Sequence, residues 1–152
     1  MSLFPPINDN AEYFSMYDEA TPWSRSAHKP FTLEEVEWPT VEHYYQAMRF
    51  ESDQYREQIR TAVTVELAIK LGKNWFKKKR SDWKQIETTI MTRALYTQCQ
   101  VYPEMAAALL ETGDVPLVEN SQYDYFWGCG RDRRGKNHYG QVLMNIRKKL
   151  SE

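Results

Sequence analysis

A chain of 152 residues, 41% apolar and 27% charged, suits one water-soluble domain around one core. Its formal net charge of −1 supplies no global field toward nucleic acid or a lipid surface, and no apolar run is long enough to cross a bilayer. The two cysteines, Cys99 and Cys129, form neither a CxxC pair nor a zinc cluster, so free thiols in a reducing cytoplasm are expected.

Residues 1–6, Met-Ser-Leu-Phe-Pro-Pro, lack the charged and apolar regions of an export signal, which again points to the cytoplasm. The first forty residues read as irregular. Loose alternation of apolar and polar residues predicts short β pieces near Glu12–Phe14, Phe31–Leu33 and Val36–Trp38.

A helix is predicted to start after Pro39-Thr40, with Thr40 accepting from a first-turn amide and Glu42 at the positive end of the dipole. Val41, Tyr44, Tyr45 and Met48 make an apolar stripe; Glu42, Gln46 and Arg49 make a polar one beside it. So much apolar girth predicts burial on more than one side. A carboxylate on such a helix must be paired or have its pKa raised.

Two short helices are predicted at Asp53–Arg60 and 65–71, the second stopped by Gly72. The basic run Lys77-Lys78-Lys79-Arg80 then leads to the strongest helix, N-capped by Ser81 and reaching about Gln98, with a core face of Trp83, Ile86, Ile90, Ala94 and Leu95. Pro103 opens a further helix over 104–111, ended by Gly113. A short strand follows at 115–118, then a Gly- and aromatic-rich loop over 123–140, then a last helix over 139–150. The fold class is α+β, predominantly helical, a single compact domain over 1–152 with a few short β-strands.

Many catalytic signatures are missing: there is no P-loop, Rossmann glycine fingerprint, HExxH or GxSxG. His28, His43 and His138 have no metal-ligand spacing, and neither a metal nor a cofactor is called for. Three segments remain. Residues 38–47, WPTVEHYYQA, set a carboxylate among aromatics. Residues 80–83, RSDW, end the basic run. Residues 117–130, LVENSQYDYFWGCG, with 135–140, GKNHYG, bring acids, a Trp and several glycines together. Glycines let backbone approach a ligand closely, and acids with aromatics beside such backbone suit a sugar or nucleoside.

In this order and spacing the segments, together with LMNIRKKL at 143–150, resemble the YbiA-like N-glycosidases of the NADAR superfamily over some three-quarters of the chain. The resemblance implies hydrolysis of an N-glycosidic bond. YbiA-type members act on ribosylamino-pyrimidine phosphate intermediates of riboflavin biosynthesis, releasing ribose 5-phosphate; other NADAR members remove ADP-ribose from modified guanine bases. It implies Glu42, Trp83, Asp124, Trp127 and Asn137 as site residues.

Cleaving a ribosyl–nitrogen bond passes through an oxocarbenium-like state that a carboxylate stabilises, while the leaving nitrogen needs a proton. Glu42 is expected near C1′ as base or electrostatic stabiliser. Asp124 would orient ribose hydroxyls or serve as the acid. Trp83 and Trp127 would stack on the base or wall off the sugar. Arg49 and Arg80 are candidates for phosphate, and Asn137 for a sugar or base edge. Tyr45, Gln46, Glu119 and Gly128 complete the expected binding set.

Two departures stand out. Arg49 replaces the lysine of a Gln-Lys-Phe pattern, and a guanidinium cannot form a Schiff base as an amine can. This keeps open a nucleotide- or ADP-ribose-binding module impaired in catalysis. A Phe-Ser-Asn-Phe pattern is degraded to Trp23-Ser24-Arg25-Ser26. The expected partner is a small ribosyl-phosphate or ADP-ribosyl molecule, with nucleic acid only as a modified-base substrate and no membrane.

Overall fold

A computed structural model describes residues 10–152; residues 1–6, read above as lacking an export signal, lie outside them. The chain folds around helix α1 (Val41–Met48), whose eight residues are all buried. Thr40 caps it by accepting from the His43 amide, as its position predicts. Helices α2 (Asp53–Arg60), α3 (Val65–Gly72) and α4 (Trp83–Val101) pack around it. The side chains of Ser52 and Thr64 cap α2 and α3. Helix α5 (Pro103–Glu111) begins with proline in its first turn, where no amide hydrogen bond is lost. Helix α6 (His138–Leu150) lies against α4 and α5.

Two small sheets flank the helices. Strand β1 (Glu12–Phe14) pairs in parallel with β4 (Leu117–Glu119), with Glu12 opposite Leu117 and Phe14 opposite Glu119. Strands β2 (Phe31–Leu33) and β3 (Val36–Trp38) form an antiparallel hairpin. Its two loop residues, Glu34 and Glu35, both have positive φ, 55° and 66°. This is the conformation of a tight hairpin loop, more often filled by Asn-Gly.

The predicted elements are present, and the structure is α+β, mainly helical, and one compact domain. Boundaries shift for local reasons. Strand β4 starts at 117 rather than 115, because the Val115 amide bonds back to Thr112 and Pro116 has no amide to give. Helix α4 starts after Asp82, not Ser81, and neither side chain caps it, since the Asp82 carboxylate is turned to Arg80. Four tryptophans, Trp23, Trp38, Trp83 and Trp127, are buried, so the high aromatic content serves mostly the core. Among the described residues no helix is long and apolar enough to cross a membrane.

His43 locks α1 in place. Its Nε2 lies 3.0 Å from the Ala62 carbonyl, and its Nδ1 lies 2.7 Å from the Thr40 hydroxyl. With Nε2 donating, Nδ1 accepts from Thr40, which suits the neutral ring. Burial holds its pKa below the ordinary 6.5, against the Ala62 bond and the Glu42 charge, which act upward. The unfolded chain therefore binds the proton more readily, and this contribution to stability is lost as pH falls below 6.5. Thermal melts from about pH 7.5 down to about pH 5 should show a falling Tm, with a shallower fall in His43→Gln.

Candidate active site

A cavity of about 780 Å³ opens between α1, the turn after β1, the end of α3 and the loop 120–127. At its floor the Arg25 guanidinium meets three carboxylates. Its Nε and Nη2 donate to the two oxygens of Glu119 at 2.7 and 2.8 Å. Nη2 also reaches Asp124 Oδ2 at 2.9 Å, and Nη1 reaches Glu42 Oε2 at 3.2 Å. Arg25 is 2% exposed, Glu42 1% and Glu119 0%. Burying such charges is costly unless they are paired and hydrogen-bonded, and here every oxygen facing the guanidinium is.

Local structure delivers each member. The Arg25 carbonyl accepts from the Glu42 amide at 3.0 Å, which docks the 23–26 loop onto the free amides of the first turn of α1. One turn along α1, Gln46 Nε2 donates to Glu42 Oε1 at 2.7 Å, fixing both carboxylate oxygens. Glu119 is the last residue of β4, held from one side by β1 and from the other by Asn137, whose Oδ1 accepts from the Glu119 amide and whose Nδ2 donates to the Leu117 carbonyl. Asn137 adopts a left-handed conformation, φ 51°, which asparagine tolerates better than most residues. A side chain at Gly140 would collide with the Leu117 carbonyl and with Asn137 itself.

Asp124 turns its other oxygen back onto its own loop, accepting from the Phe126 and Trp127 amides at 3.0 and 2.8 Å. Burial acts to raise its pKa, but the Arg25 charge, the Arg25 hydrogen bond and the two amides outweigh it and hold the carboxyl below its ordinary value. Glu119 goes the other way: burial raises its pKa despite Arg25 and the Ser121 hydroxyl. The three acids push Arg25 further up, against its own burial.

Rings form the walls. Trp127 stands edge-on to Tyr45 at 5.3 Å between centroids, and Trp83 tilts against the other part of Tyr45 at 5.1 Å. The Tyr45 hydroxyl donates to Glu87 at 3.2 Å. Burial pushes its pKa up to about 12 despite the nearby Arg49 charge, so it keeps its proton at neutral pH.

Of the residues expected from sequence, Glu42, Tyr45, Gln46, Arg49, Asp124 and Trp127 line this cavity. Trp83 stands behind Tyr45 and Arg49. Glu119 has both oxygens committed to Arg25 and is fully covered. Asn137 spends both ends of its amide on the β4 backbone. Gly128 acts by close packing: a β-carbon there would lie 2.9 Å from Ser121 Cβ and 3.0 Å from the Asp124 carbonyl. Arg80 is set apart from the cavity lining, bonded to Asp82 through Nε at 2.7 Å. These five were expected to touch ligand; four of them brace the site and one stands outside it. His43, read as structural, is so placed. Among the described residues, no group of His, Cys, Asp and Glu is placed to hold a metal ion.

Sequence reasoning missed Arg25, Lys73 and Glu87. Arg25 lies in an irregular segment, 94 positions from Glu119, and no periodicity could link them. Its one signal was the broken Phe-Ser-Asn-Phe pattern.

The model of the NADAR domain matches residues 4–151. The chain belongs to the NADAR family. It is 34% identical over 139 residues to the N-glycosidase YbiA of Escherichia coli strain K12, covering 91% of this chain and 87% of that protein. The solution NMR structure of the E. coli protein YbiA superposes with a TM-score of 0.84 at 33% identity, over 98% of this chain and 89% of that one. An N-glycosidase of Nostoc punctiforme is 39% identical over 121 residues, 78% of each chain. A chloroplastic riboflavin biosynthesis protein of Zea mays is 37% identical over 123 residues, 74% of this chain and 20% of that protein.

In this NADAR chain the buried guanidinium is the element most exposed to test. Arg25→Gln leaves three facing carboxylates without their cation. Breaking a buried pair in this way should cost about 3–5 kcal/mol, read as a lowered midpoint in denaturant melts. Lowering the pH into the carboxylate range should recover part of the loss as the acids take up protons.

Proposed function

We propose that this N-glycosidase hydrolyses the bond between ribose C1′ and the exocyclic nitrogen of a ribosylamino-pyrimidine phosphate intermediate of riboflavin biosynthesis, releasing ribose 5-phosphate. The observation that carries the reading is Glu42, a buried carboxylate held by Gln46 and Arg25 at the floor of an aromatic-walled cavity.

The chemistry follows from charge. As the C1′–N bond breaks, positive charge grows on C1′ and O4′. One guanidinium facing three carboxylates leaves the floor with surplus negative charge, preorganised and shielded from water. Such fixed charge stabilises a developing cation more than mobile water can. Glu42 stands closest to this task and can also take a proton from the attacking water and pass it to the leaving nitrogen. Asp124, held ionised by Arg25, suits orientation of ribose hydroxyls rather than proton donation. Tyr45 keeps its hydrogen, which it gives to Glu87, and its ring can steady the leaving base. Trp127 and Tyr45 offer edges and faces to a flat pyrimidine. No amine at position 49 is required, because water rather than lysine attacks.

Glu42→Gln keeps shape and removes the charge. Its kcat should drop by roughly 10²-fold or more, with the circular dichroism spectrum unchanged. The assay offers ribosylamino-pyrimidine phosphate and ADP-ribosylated guanosine side by side and weighs the free sugar by mass spectrometry. Release of ADP-ribose alone would move the substrate to modified guanine. Tight binding of either without any sugar release would leave a binding module in place of the enzyme.

A further inference from the structure

Charges of both signs line the cavity: Arg25, Arg49 and Lys73 beside Glu42, Glu87 and Asp124. Arg25 is largely spent, since four of its five N–H donors are taken by carboxylates. Two other cations line the same cavity, Arg49 and Lys73. Neither forms an ion pair among the described residues.

Arg49 is held rigidly. Its Nη1 donates to the Gly72 carbonyl at 3.1 Å, and its guanidinium lies 5.5 Å from the Tyr45 ring centre and 5.7 Å from that of Trp83. Its Nε is buried and has no hydrogen-bond partner among the described residues. A buried donor left unpaired is destabilising. Lys73 is the residue after Gly72, at the C-terminal end of α3, with an exposed side chain that reaches the cavity. The Gly72 carbonyl thus tethers the guanidinium next to the origin of the lysine. One group offers a flat fork of donors, the other a mobile ammonium that can follow a ligand inward.

We propose that Arg49 and Lys73 form an anion subsite that takes the phosphate ester of the ligand, with Lys73 as the residue that distinguishes phosphorylated from unphosphorylated sugar. The subsite deepens the function proposed above, taking from it that the ligand is a ribosyl phosphate. The acids around Arg25 then receive the sugar ring, and Arg49 with Lys73 receives the phosphate. This polarity sets the direction in which the substrate lies: the C1′ end toward Glu42, the phosphate toward α3. A terminal monoester and an internal diphosphate share this chemistry, and the experiment separates them.

Binding of ribose, ribose 5-phosphate and ADP-ribose is measured by isothermal titration calorimetry on the wild type, Lys73→Ala, Lys73→Arg and Arg49→Gln. Ribose 5-phosphate should bind the wild type at least roughly 10-fold more tightly than ribose, and the preference should weaken with added salt. Lys73→Ala should remove most of it, and Lys73→Arg should keep it. Stronger dependence on Lys73 for ADP-ribose than for ribose 5-phosphate would assign the subsite to a diphosphate. Lys73 is exposed, so its variants should fold even where Arg49→Gln does not. Equal binding of ribose and ribose 5-phosphate by the wild type, or a preference untouched in Lys73→Ala, overturns the subsite. The readout needs no turnover. A phosphate preference without hydrolysis removes the enzymatic reading and keeps the subsite; hydrolysis with an unchanged KM in Lys73→Ala does the reverse.

Discussion

The structure depends on one guanidinium shared among three acids. Arg25 joins the 23–26 loop, α1, β4 and the loop that follows β4. Each partner lies far from it in sequence, so the cluster exists only if the fold closes correctly. Burying Arg25, Glu42 and Glu119 and half-burying Asp124 would be prohibitive singly. Together they are tolerable because the fork of Arg25 meets Glu119 with two parallel bonds and still reaches Glu42 and Asp124. Every member must be present and correctly aimed, which turns small backbone details into requirements of the site.

Those details are concentrated in the C-terminal third. Asn137 behaves like a third strand beside β4, filling the hydrogen bonds of Leu117 and Glu119 on the side that β1 leaves open. Gly140 and Gly128 are small because neighbouring backbone occupies the space a β-carbon would take. Asp124 serves the turn and the cluster at once, one oxygen to each. Residues that resemble ligand-binding groups by motif here work by bracing the few that reach the cavity. Such support keeps a charged constellation fixed in place.

The same economy explains the walls. Tyr45 packs between Trp83 and Trp127 on α1, one residue-face away from Gln46 and Glu42. A helix buried on all sides can therefore offer a polar edge to the cavity and an apolar girth to the core. The two uses explain why its sequence is apolar over most of its circumference yet carries Glu, Gln and Arg at spacings of four and three.

The sequence by itself determined the local elements and the family. The cap at Thr40, the stop near Gly72, Pro103 at a helix start and the stripe on α1 all act over a few residues, through propensity and periodicity that neighbours cannot easily overrule. The motifs around Glu42 and Asp124 likewise carried the family resemblance in their own residue types. Only the tertiary structure decided which polar groups touch the cavity. It turned Glu119 and Asn137 inward as supports, set Arg80 aside on Asp82, and brought Arg25 and Lys73 to the site. Those assignments depend on which distant segments meet. Spacing along a chain reports the face of a helix, but a guanidinium that finds its partners 17, 94 and 99 positions away leaves no period to read.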